Sequence, residues 1–533
     1  MPQLIGPGVS VTEVNLTQNA PSFSTSSAAL VGESNKGSLD VRLITSTQQF
    51  LQEYGNPVPG KYFHYSALAY LRYGTQLYCQ RVVNGALYGG VKVLSNGNPT
   101  AFSVGSASQS YVGVSGESSV FYVYAKDPGT WNNSISISIA NVNVSTYTFD
   151  IKVYYTDPVT NVTTQVETWA VSRKTKLDGY GDQLYLETKI NGYSSYINVQ
   201  DSLITADTVL PQANSTAVFM AYGSNGSAAT DSNIALAWST TFGTPENIDV
   251  RILINGGYTG TLTQAAINTL TTTRKDCMAI LDFPAADVQT TTTMTAARSN
   301  NNIDNPRACI YGPWILDGDN FNGSLVQLPN SGYVAGAWAY NDSIGEVWDA
   351  PAGFTRGQLS VVGVTGMSAL YPNSVLSSGD RDVLHVAQVN AIQNWRGGGI
   401  VLFDQLTLTQ TSSDLSYINV VRSLINIEKT LKFTLNQFLQ ARNNDATRLG
   451  VKATLDEYFS RLAAAGAFDT SYDKGYSVVC DLTNNNAGQI QNGELHVDIY
   501  IHPVLAVSKI YAQVILVPTG VNVNLFTSQG QLI

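Results

Sequence analysis

Hydrophobic residues recur with two different periods, and the change of period divides the chain into regions. Up to about residue 96, short apolar runs alternate with segments of helical periodicity. The pattern predicts a buried strand in SAALVGES, helices in STQQFLQEYG and KYFHYSALAYLRYG that end at Gly55 and Gly74, and a strand in QLYCQRVV. Alternation of strands and helices is typical of an α/β domain.

The period shortens to two between about residues 97 and 225. Apolar and polar residues alternate in SVFYVYAK, SISISIANVNV, YTFDIKVYY, TQVETWAVS and LYLETKIN, and Gly, Asn, Pro and Asp separate these runs. Turn residues every eight to twelve positions favour a β-sandwich or barrel. We therefore expect an all-β domain inserted into the α/β domain.

Helical periodicity returns after residue 226. Nearly continuous apolar strands in VRILIN, CMAILDFP and RACIYGPWIL alternate with helices such as TLTQAAINTLTTTRK. This arrangement favours a parallel sheet that helices cover on both faces. The segment GDRDVLHVAQVNAIQNWRGG is predicted as one helix, and GIVLF as a further strand.

The last part of the chain combines helices and strands. Two long amphipathic helices are predicted over residues 416–442 and 446–465, followed by strands in YSVVCDL, ELHVDIYIHPV and SKIYAQVILVP. The predicted fold is therefore α/β (α+β overall) and multidomain. It has a parallel-sheet core domain, an inserted all-β domain, an α+β carboxyl-terminal domain and extended strand arms at both ends.

The chain opens with a strand that has no evident partner. In GVSVTEVNL, Val9 and Val11 share one face, and Val14 and Leu16 share the other. Chain ends fray unless something holds them. This strand either pairs at the edge of a sheet in its own domain or adds to a sheet in another copy. The following TQNAPSFSTSS segment, residues 17–27, is predicted to be a hinge.

Composition narrows the classes of function. The 533 residues exceed one ordinary core, so we expect three or four domains or an insertion. With 13 % charged residues and a net charge of −10, general binding to nucleic acid or an anionic membrane is disfavoured. We expect no signal peptide, because no basic stretch precedes an apolar run, and no stretch of about 20 apolar residues that would span a membrane.

Candidate chemistry is sparse. The four cysteines, Cys79, Cys277, Cys309 and Cys480, are widely spaced in apolar stretches, which indicates buried thiols in a reducing compartment. His64 and His385 are interpreted as structural residues.

Five residues that share one face of a predicted strand are candidates for a metal site. They are Glu494, His496, Asp498, Tyr500 and His502. Ligands on one flat strand would spread over about 13–20 Å at ~3.3 Å per residue, so a polar intersubunit face is the preferred interpretation. DGDNFNG lacks the ligand and glycine positions of an EF-hand, and no phosphate loop, HExxH or GxSxG occurs. We therefore expect no catalytic residues, no metal and no cofactor.

Four groups of motifs together resemble the tail sheath protein of contractile-tailed phages (myovirus type). The first is GPGVSVTEVNL with SAALVGESNKG and ITSTQQFLQEYGNP. The second is KDPGTWNNSISISI, with Asn132 where that family has Gly, and the third is VWDAPAGFTRG. The fourth covers YINVVRSLINIEKTLKFTLNQFLQARNNDATR and GAFDTSYDKGYSVVCDLTNNNAGQIQNGELHVDIYIHPVLAVSKIYAQVIL, which are similar to a T4-like carboxyl-terminal sheath domain.

The resemblance implies a structural function. A sheath subunit polymerises as stacked hexameric rings around the inner tail tube, and contraction drives the tube through the host envelope. The implied partners are other copies of the chain, the tube protein, and baseplate, tail terminator and neck proteins, with no nucleic acid and no direct membrane insertion. The implied location is the virion tail, after assembly in the bacterial host cytoplasm. The family's central domain has been called subtilisin-like, but no nucleophile motif in residues 226–410 supports protease activity.

The resemblance also implies a division of the chain. The segments are a donor-strand arm and linker at 1–20, the sheath core at 21–96 and 226–410, an outward-facing β-rich insertion at 97–225, a tube-facing domain at 411–510, and a carboxyl-terminal arm at 511–533. The expected intersubunit strand residues are Val9, Val11, Val14, Leu16, Val514, Leu516, Val521 and Val523. The expected tube contacts are Arg448, Lys452, Asp456 and Glu457.

Three other classes of protein remain as alternatives. A pyocin-like or extracellular injection particle uses a related sheath. A surface-layer protein or adhesin would suit the Asn- and Thr-rich composition but should carry an export signal and calcium sites. An enzyme on the α/β domain would need a catalytic constellation that the motifs do not supply.

Overall fold

The computed structural model describes residues 24–104, 118–158, 160–364, 376–395 and 399–511. The strands are β1 (Ala28–Gly32), β2 (Arg42–Ile44), β3 (Leu77–Arg81), β4 (Gly89–Leu94), β5 (Thr100–Ser103), β6 (Ser119–Ala125), β7 (Ile135–Asn143), β8 (Thr148–Thr156), β9 (Thr163–Ser172), β10 (Ile197–Asp201), β11 (Val218–Phe219), β12 (Ile252–Ile254), β13 (Met278–Leu281), β14 (Ala308–Gly312), β15 (Ile315–Asp319), β16 (Ser324–Leu328), β17 (Gln358–Leu359), β18 (Gly363–Val364), β19 (Asn390–Trp395), β20 (Gly399–Leu402), β21 (Tyr476–Val479) and β22 (Asp498–Ile501).

The helices are α1 (Thr47–Tyr54), α2 (Tyr62–Tyr70), α3 (Leu186–Ile190), α4 (Asp231–Phe242), α5 (Thr261–Arg274), α6 (Thr291–Asn301), α7 (Ser331–Ile344), α8 (Gly353–Arg356), α9 (Ser378–Val386), α10 (Ile418–Asn436), α11 (Asp445–Ala464) and α12 (Ala487–Gln491). Across the described ranges, none of them is long and apolar enough to cross a membrane.

A nine-stranded sheet forms the core, in the order β17-β20-β19-β14-β13-β12-β1-β3-β2. The six strands from β19 to β3 pair in parallel, and the strands outside them pair antiparallel. Leu30 on β1 faces an apolar layer that includes α2 and α7, whereas Val31 faces a second layer that includes α4 and α5. Helices therefore cover both faces, which explains why the central strands are apolar without alternation.

Two four-stranded antiparallel sheets pack face to face as a β-sandwich. Their orders are β10-β6-β4-β5 and β11-β7-β8-β9. Phe121 and Phe149 stack between the sheets with ring centroids 5.4 Å apart. Buried Arg173 bonds Asp201 at 2.5 Å and also donates to the carbonyl oxygens of Thr205 and Val209, so it holds the loop that follows β10.

The last third of the chain packs α11 against the two-stranded sheet of β21 and β22. Leu455 and Phe459 on α11 share a buried apolar cluster with Val478 on β21. Helix α10 contributes Val421 to the core layer and Ile427 to this cluster. It therefore links the two regions.

Three local predictions are wrong. LYLETKIN forms helix α3 rather than a strand. The segment predicted as one helix after residue 378 becomes a helix and a strand, because Gln388 turns the chain with φ of 59° and β19 then pairs with β14 and β20. RACIYGPWIL is divided into β14 and β15 around Pro313, which has no N–H to donate. Tertiary pairing overrides local periodicity in the second case.

The four cysteines are buried and free, as the sequence predicts. His64 on α2 is also buried, and its Nε2 lies 3.2 Å from the carbonyl oxygen of Tyr54. Burial lowers the pKa of His64 to about 4, because the charged imidazolium would lose its hydration. The structural interpretation of this histidine is therefore confirmed.

Acid should destabilise the chain through His64. Below pH 6.5 the unfolded chain binds a proton that the folded chain accepts only near pH 4, so this contribution falls as pH drops through that interval. The expected loss is about 3 kcal/mol at the low end. His64→Gln keeps a donor for Tyr54 but does not titrate. When the pH is lowered from 7 to 4.5, the urea concentration at half-unfolding should fall less for the variant than for wild type. An equal fall in both proteins would contradict the prediction.

Candidate intersubunit interface

Two polar residues on one face of α10 hold distant parts of the chain. Asn419 and Arg422 are three positions apart and therefore lie on the same side of the helix. The Asn419 amide donates to the carbonyl oxygens of Trp348, at 3.0 Å, and Val504, at 3.3 Å. Val504 lies just after β22, so Asn419 holds the described chain immediately beyond its last strand.

Arg422 fixes the other end of the described chain. Its guanidinium donates to Asp342 Oδ2 at 2.6 Å and to the Thr25 carbonyl oxygen at 3.4 Å, and it lies 5.0 Å from the Trp338 ring centroid. The Thr25 hydroxyl also donates to Asp342 Oδ2, at 2.7 Å. The side chains of Arg422 and Asp342 are only 4 % and 6 % exposed, so the ion pair lies in the interior. We call Thr25, Asp342, Asn419, Arg422 and Val504 the α10 anchor.

The segment that enters the core at β1 is held by its carbonyl groups. Arg251 donates through Nε to Ser24 O at 3.2 Å and through its backbone N–H to Ser27 O at 2.8 Å. The Tyr70 hydroxyl donates to Ser26 O at 2.5 Å. Residues 24–27 are thus hydrogen-bonded to the core in this structure, and the hinge over residues 17–27 stays a prediction. The rest of that predicted hinge lies outside the described residues.

The strand pair next to the anchor is held by asparagine side chains. Asn485 is fully buried, donates to His496 O at 2.9 Å and accepts from His496 N–H at 2.7 Å. Asn484 donates to Val479 O at 2.9 Å. These amides of the CDLTNNN segment connect β21 to the chain that leads into β22. A two-stranded sheet is marginal by itself, so it depends on α11 and on whatever covers its edges.

The predicted strand residues of the two arms lie outside the described residues. They are Val9, Val11, Val14, Leu16, Val514, Leu516, Val521 and Val523. Just before the carboxyl-terminal set, the described chain continues from Val504 to Tyr511 without regular structure. Val507 and Ile510 in this stretch are 79 % and 84 % exposed.

The four predicted tube contacts all lie on α11 but differ in exposure. Arg448 is buried and bonds Asn443 at 2.8 Å and Asp445 at 2.5 Å. Lys452 donates to Val478 O, and Asp456 lies 3.5 Å from Lys474. Glu457 is exposed. Three of the four are therefore engaged within the chain, and tube contact through this helix stays a prediction.

Several anchor residues were not predicted from the sequence. Thr25 and Asp342 carry no local motif, although Asp342 is the one charged residue in α7, whose other residues are mostly small or aromatic. A lone acidic residue in an otherwise buried helix is a usable signal, because buried charges are almost always paired. The sequence does not indicate that its partner lies on α10, about 80 residues later.

The histidines do not converge on a site. His385 pairs with Asp404, whose hydrogen bond raises the pKa of the imidazole. His496 lies 3.1 Å from Glu494, and His502 lies 3.9 Å from Asp473. Within the part of the chain that the structure describes, no three His, Cys, Asp or Glu residues form a group that would hold a metal ion. What the described residues provide is a hydrogen-bonded contact with α10 at Thr25 and another at Val504, just after the two-stranded sheet.

Comparison with known families identifies this region. Residues 410–516 match the family model of the phage tail sheath C-terminal domain. This part of the chain is therefore similar to the phage tail sheath C-terminal domain. It contains α10, α11 and the strand pair, and with them Asn419, Arg422 and Val504 of the anchor. The resemblance stated from the motifs is thereby confirmed.

Sheath relatives match outside this domain as well. The tail sheath protein of Vibrio phage KVP40 is 28 % identical over 266 residues, which are 46 % of this chain and 38 % of that protein. The tail sheath protein of Enterobacteria phage T4 is 26 % identical over 325 residues, 57 % of this chain and 47 % of that protein. The matched region thus spans less than half the length of either relative.

Solved structures share the fold over nearly the whole chain. The sheath tail protein from Listeria innocua superimposes with a TM-score of 0.56 at 11 % identity and covers 92 % of this chain and 97 % of that one. The contracted PVC sheath of an extracellular contractile injection system gives 0.51 at 14 % identity, over 97 % and 98 % of the two chains. At these identities the likeness establishes the fold, which is a mixed α/β sheath-protein fold with several sheets.

The buried ion pair of the anchor should be costly to break on one side only. Arg422→Met leaves the Asp342 carboxylate buried without its cation and should destabilise the subunit by about 3–5 kcal/mol. Adding Asp342→Leu removes the unpaired charge, so the double variant should recover a large part of that loss. Thermal unfolding of both variants measures how much stability the second substitution restores. No recovery in the double variant would contradict the role assigned to the ion pair.

Proposed function

We propose that the chain is the structural subunit of a contractile phage tail sheath. The match of residues 410–516 to the sheath C-terminal domain carries this proposal. The subunit polymerises as stacked hexameric rings around an inner tail tube, and contraction drives the tube through the host envelope. It acts as a structural protein of the virion and not as an enzyme.

Strand exchange between subunits is the proposed link. After Val504 the described chain continues with exposed apolar residues, and among the described residues the sheet of β21 and β22 has two strands. An extended segment from another copy supplies main-chain hydrogen bonds to such a sheet with little dependence on side-chain identity. The predicted arms, residues 1–20 and 511–533, are the segments proposed to do this.

The energetics require many links rather than one. Each added hydrogen bond contributes about 0.5–1.5 kcal/mol net, whereas ordering an arm costs about 1–2 kcal/mol per residue. One donated strand is therefore marginal unless apolar residues such as Val9 and Val11 also become buried. Repetition through an array holds each arm near its acceptor and raises its effective concentration.

The other regions take roles that follow from the same proposal. The β-sandwich is proposed to face outward and the sheath domain to face the tube, where Glu457 is the exposed candidate on α11. Assembly occurs in the host cytoplasm, with the baseplate below and the terminator and neck proteins above. No cofactor, nucleic acid or membrane insertion is needed.

Purified full-length protein should assemble into hollow striated cylinders, which negative-stain microscopy would detect. Deleting residues 1–20 should leave a folded, soluble subunit that no longer polymerises, because the arm contributes to a neighbour rather than to its own core. Circular dichroism and sedimentation velocity test these two properties separately. Unfolding of the deleted chain would instead mean that the strand belongs to its own domain.

A matched pair of variants tests whether assembly requires the apolar face of the arm and not only the presence of an arm. Val9→Asp with Val11→Asp should abolish cylinders, because the carboxylates cannot be buried against an acceptor sheet. Thr17→Asp with Gln18→Asp adds the same charge just beyond the predicted strand and should retain cylinders. Normal assembly of the first pair would contradict burial of that face.

The second candidate is the sheath of an injection particle without a phage genome. The likeness to the contracted PVC sheath favours it, because that structure belongs to an extracellular injection system. Both candidates give hollow cylinders in isolation. Electron microscopy of native particles distinguishes them, because only a phage tail is attached to a DNA-filled capsid.

A further inference from the structure

A small cavity lies beside the α10 anchor, where the core sheet meets α10. Its volume is about 10 Å³, which is the space that one water molecule or one ion of similar size occupies. Two guanidinium groups line it, those of Arg251 just before β12 and Arg422 on α10. The other lining residues carry no charge: Thr25, Met278, Val347, Ile425 and Asn426. The cavity is therefore bordered by two cations and by no carboxylate.

Three guanidinium nitrogen atoms beside this cavity are buried and have no hydrogen-bond partner among the described residues. They are Nη1 and Nη2 of Arg251 and Nη1 of Arg422. The two residues are only 4 % and 5 % exposed. Their remaining donors are engaged, because Arg251 Nε donates to Ser24 O and Arg422 Nη2 donates to Asp342. Buried donors of this kind are unfavourable unless an acceptor reaches them, and a cavity of this size lets one acceptor contact both side chains.

The charges around Arg251 leave one positive charge without a carboxylate of its own. Asp249 Oδ1 lies 3.7 Å from Arg251 Nε, but the same oxygen also pairs with Lys429. The neighbouring carboxylate of Asp276 is paired with Arg274 at 2.9 Å. Burial lowers the pKa of Arg251, because these carboxylates do not replace the hydration that its charge has lost. An added single negative charge would complete the balance.

We propose that this cavity binds one small monovalent anion, chloride, which accepts hydrogen bonds from Arg251 and Arg422 and so links the core to α10. A water molecule accepts only two hydrogen bonds and brings no charge, whereas a halide ion accepts from all directions and supplies the missing negative charge. Phosphate and carboxylate groups are too large for a cavity of this volume. The site belongs to the single subunit, so it does not depend on polymerisation and goes beyond the proposed structural function.

Thermal unfolding of the full-length protein tests for chloride binding in solution. A ligand that binds only the folded chain stabilises it according to the logarithm of the ligand concentration above its Kd. When chloride is raised from about 5 mM to about 500 mM, the midpoint of unfolding should rise by about 2 °C. Sodium gluconate keeps the ionic strength constant, because gluconate is too large to enter the cavity. The absence of a rise in the wild-type protein overturns the proposal.

Two variants separate binding at the cavity from a general effect of salt. Arg251→Met removes one of the two guanidinium groups but keeps an unbranched side chain, and the folded variant should lose the rise. Lys432→Met is the matched control, because it removes one positive charge from α10 at a side chain that is 71 % exposed and does not line the cavity. This control should keep the rise. A rise that persists in Arg251→Met, or that disappears in both variants, overturns the proposal.

Anomalous scattering from crystals grown in sodium bromide locates the anion without any substitution. Bromide has the charge of chloride and is similar in size, so an anomalous peak should lie within hydrogen-bonding reach of both Arg251 and Arg422. A cavity without such a peak holds water only or nothing, and this result overturns the proposal whether or not Arg251→Met folds. A peak without a chloride effect in solution would mean binding at crystal concentration only, which overturns it as well.

Discussion

The buried ion pair between Arg422 and Asp342 is the constraint on which the arrangement of the subunit depends. Both side chains have lost nearly all contact with water, and the guanidinium and carboxylate lie 2.6 Å apart. The pair also binds Thr25 through its hydroxyl and carbonyl groups, so the core helix α7, the sheath-domain helix α10 and the start of the described chain meet at one point. Because an unpaired buried charge is strongly unfavourable, moving Arg422 away from Asp342 would cost much free energy.

The motifs that carry the resemblance lie at junctions between packed units. Trp348 of VWDAPAGFTRG accepts a hydrogen bond from Asn419 on α10, and the same motif contains the Asp349–Arg356 pair at 2.6 Å. Trp131 of KDPGTWNN lies 5.4 Å from the Lys36 ammonium, where the β-sandwich meets the core. Strand positions accept many apolar residues as long as volume is kept, whereas a junction needs a particular donor and acceptor. Short polar motifs are therefore a better guide to this architecture than the strands.

The sequence predicted the elements whose signal is local and missed the contacts that join them. The apolar runs of the core strands predicted the parallel sheet, and the alternation over residues 97–225 predicted a β-sandwich or barrel, of which the structure has the sandwich. Helix α3 and strand β19 were assigned wrongly, because β19 owes its strand conformation to β14 and β20 on either side of it. Thr25, Asp342 and Val504 could not be placed at one site, since Thr25 and Arg422 are separated by 397 positions. The use of Lys452 on a strand edge depends equally on packing, which turns a predicted surface charge toward the backbone of Val478.

The anchor also bears on how a polymer of such subunits would transmit movement. Asn419 and Arg422 are one helical turn apart, so the exit of the carboxyl-terminal segment at Val504 and the entry at Thr25 are fixed to the same rigid element. A pull on either arm would act directly on α10 and, through Asp342, on the core. A single added strand would be weak, but a force on it would reach α10 through the contacts at Thr25 and Val504, which adjoin a buried ion pair.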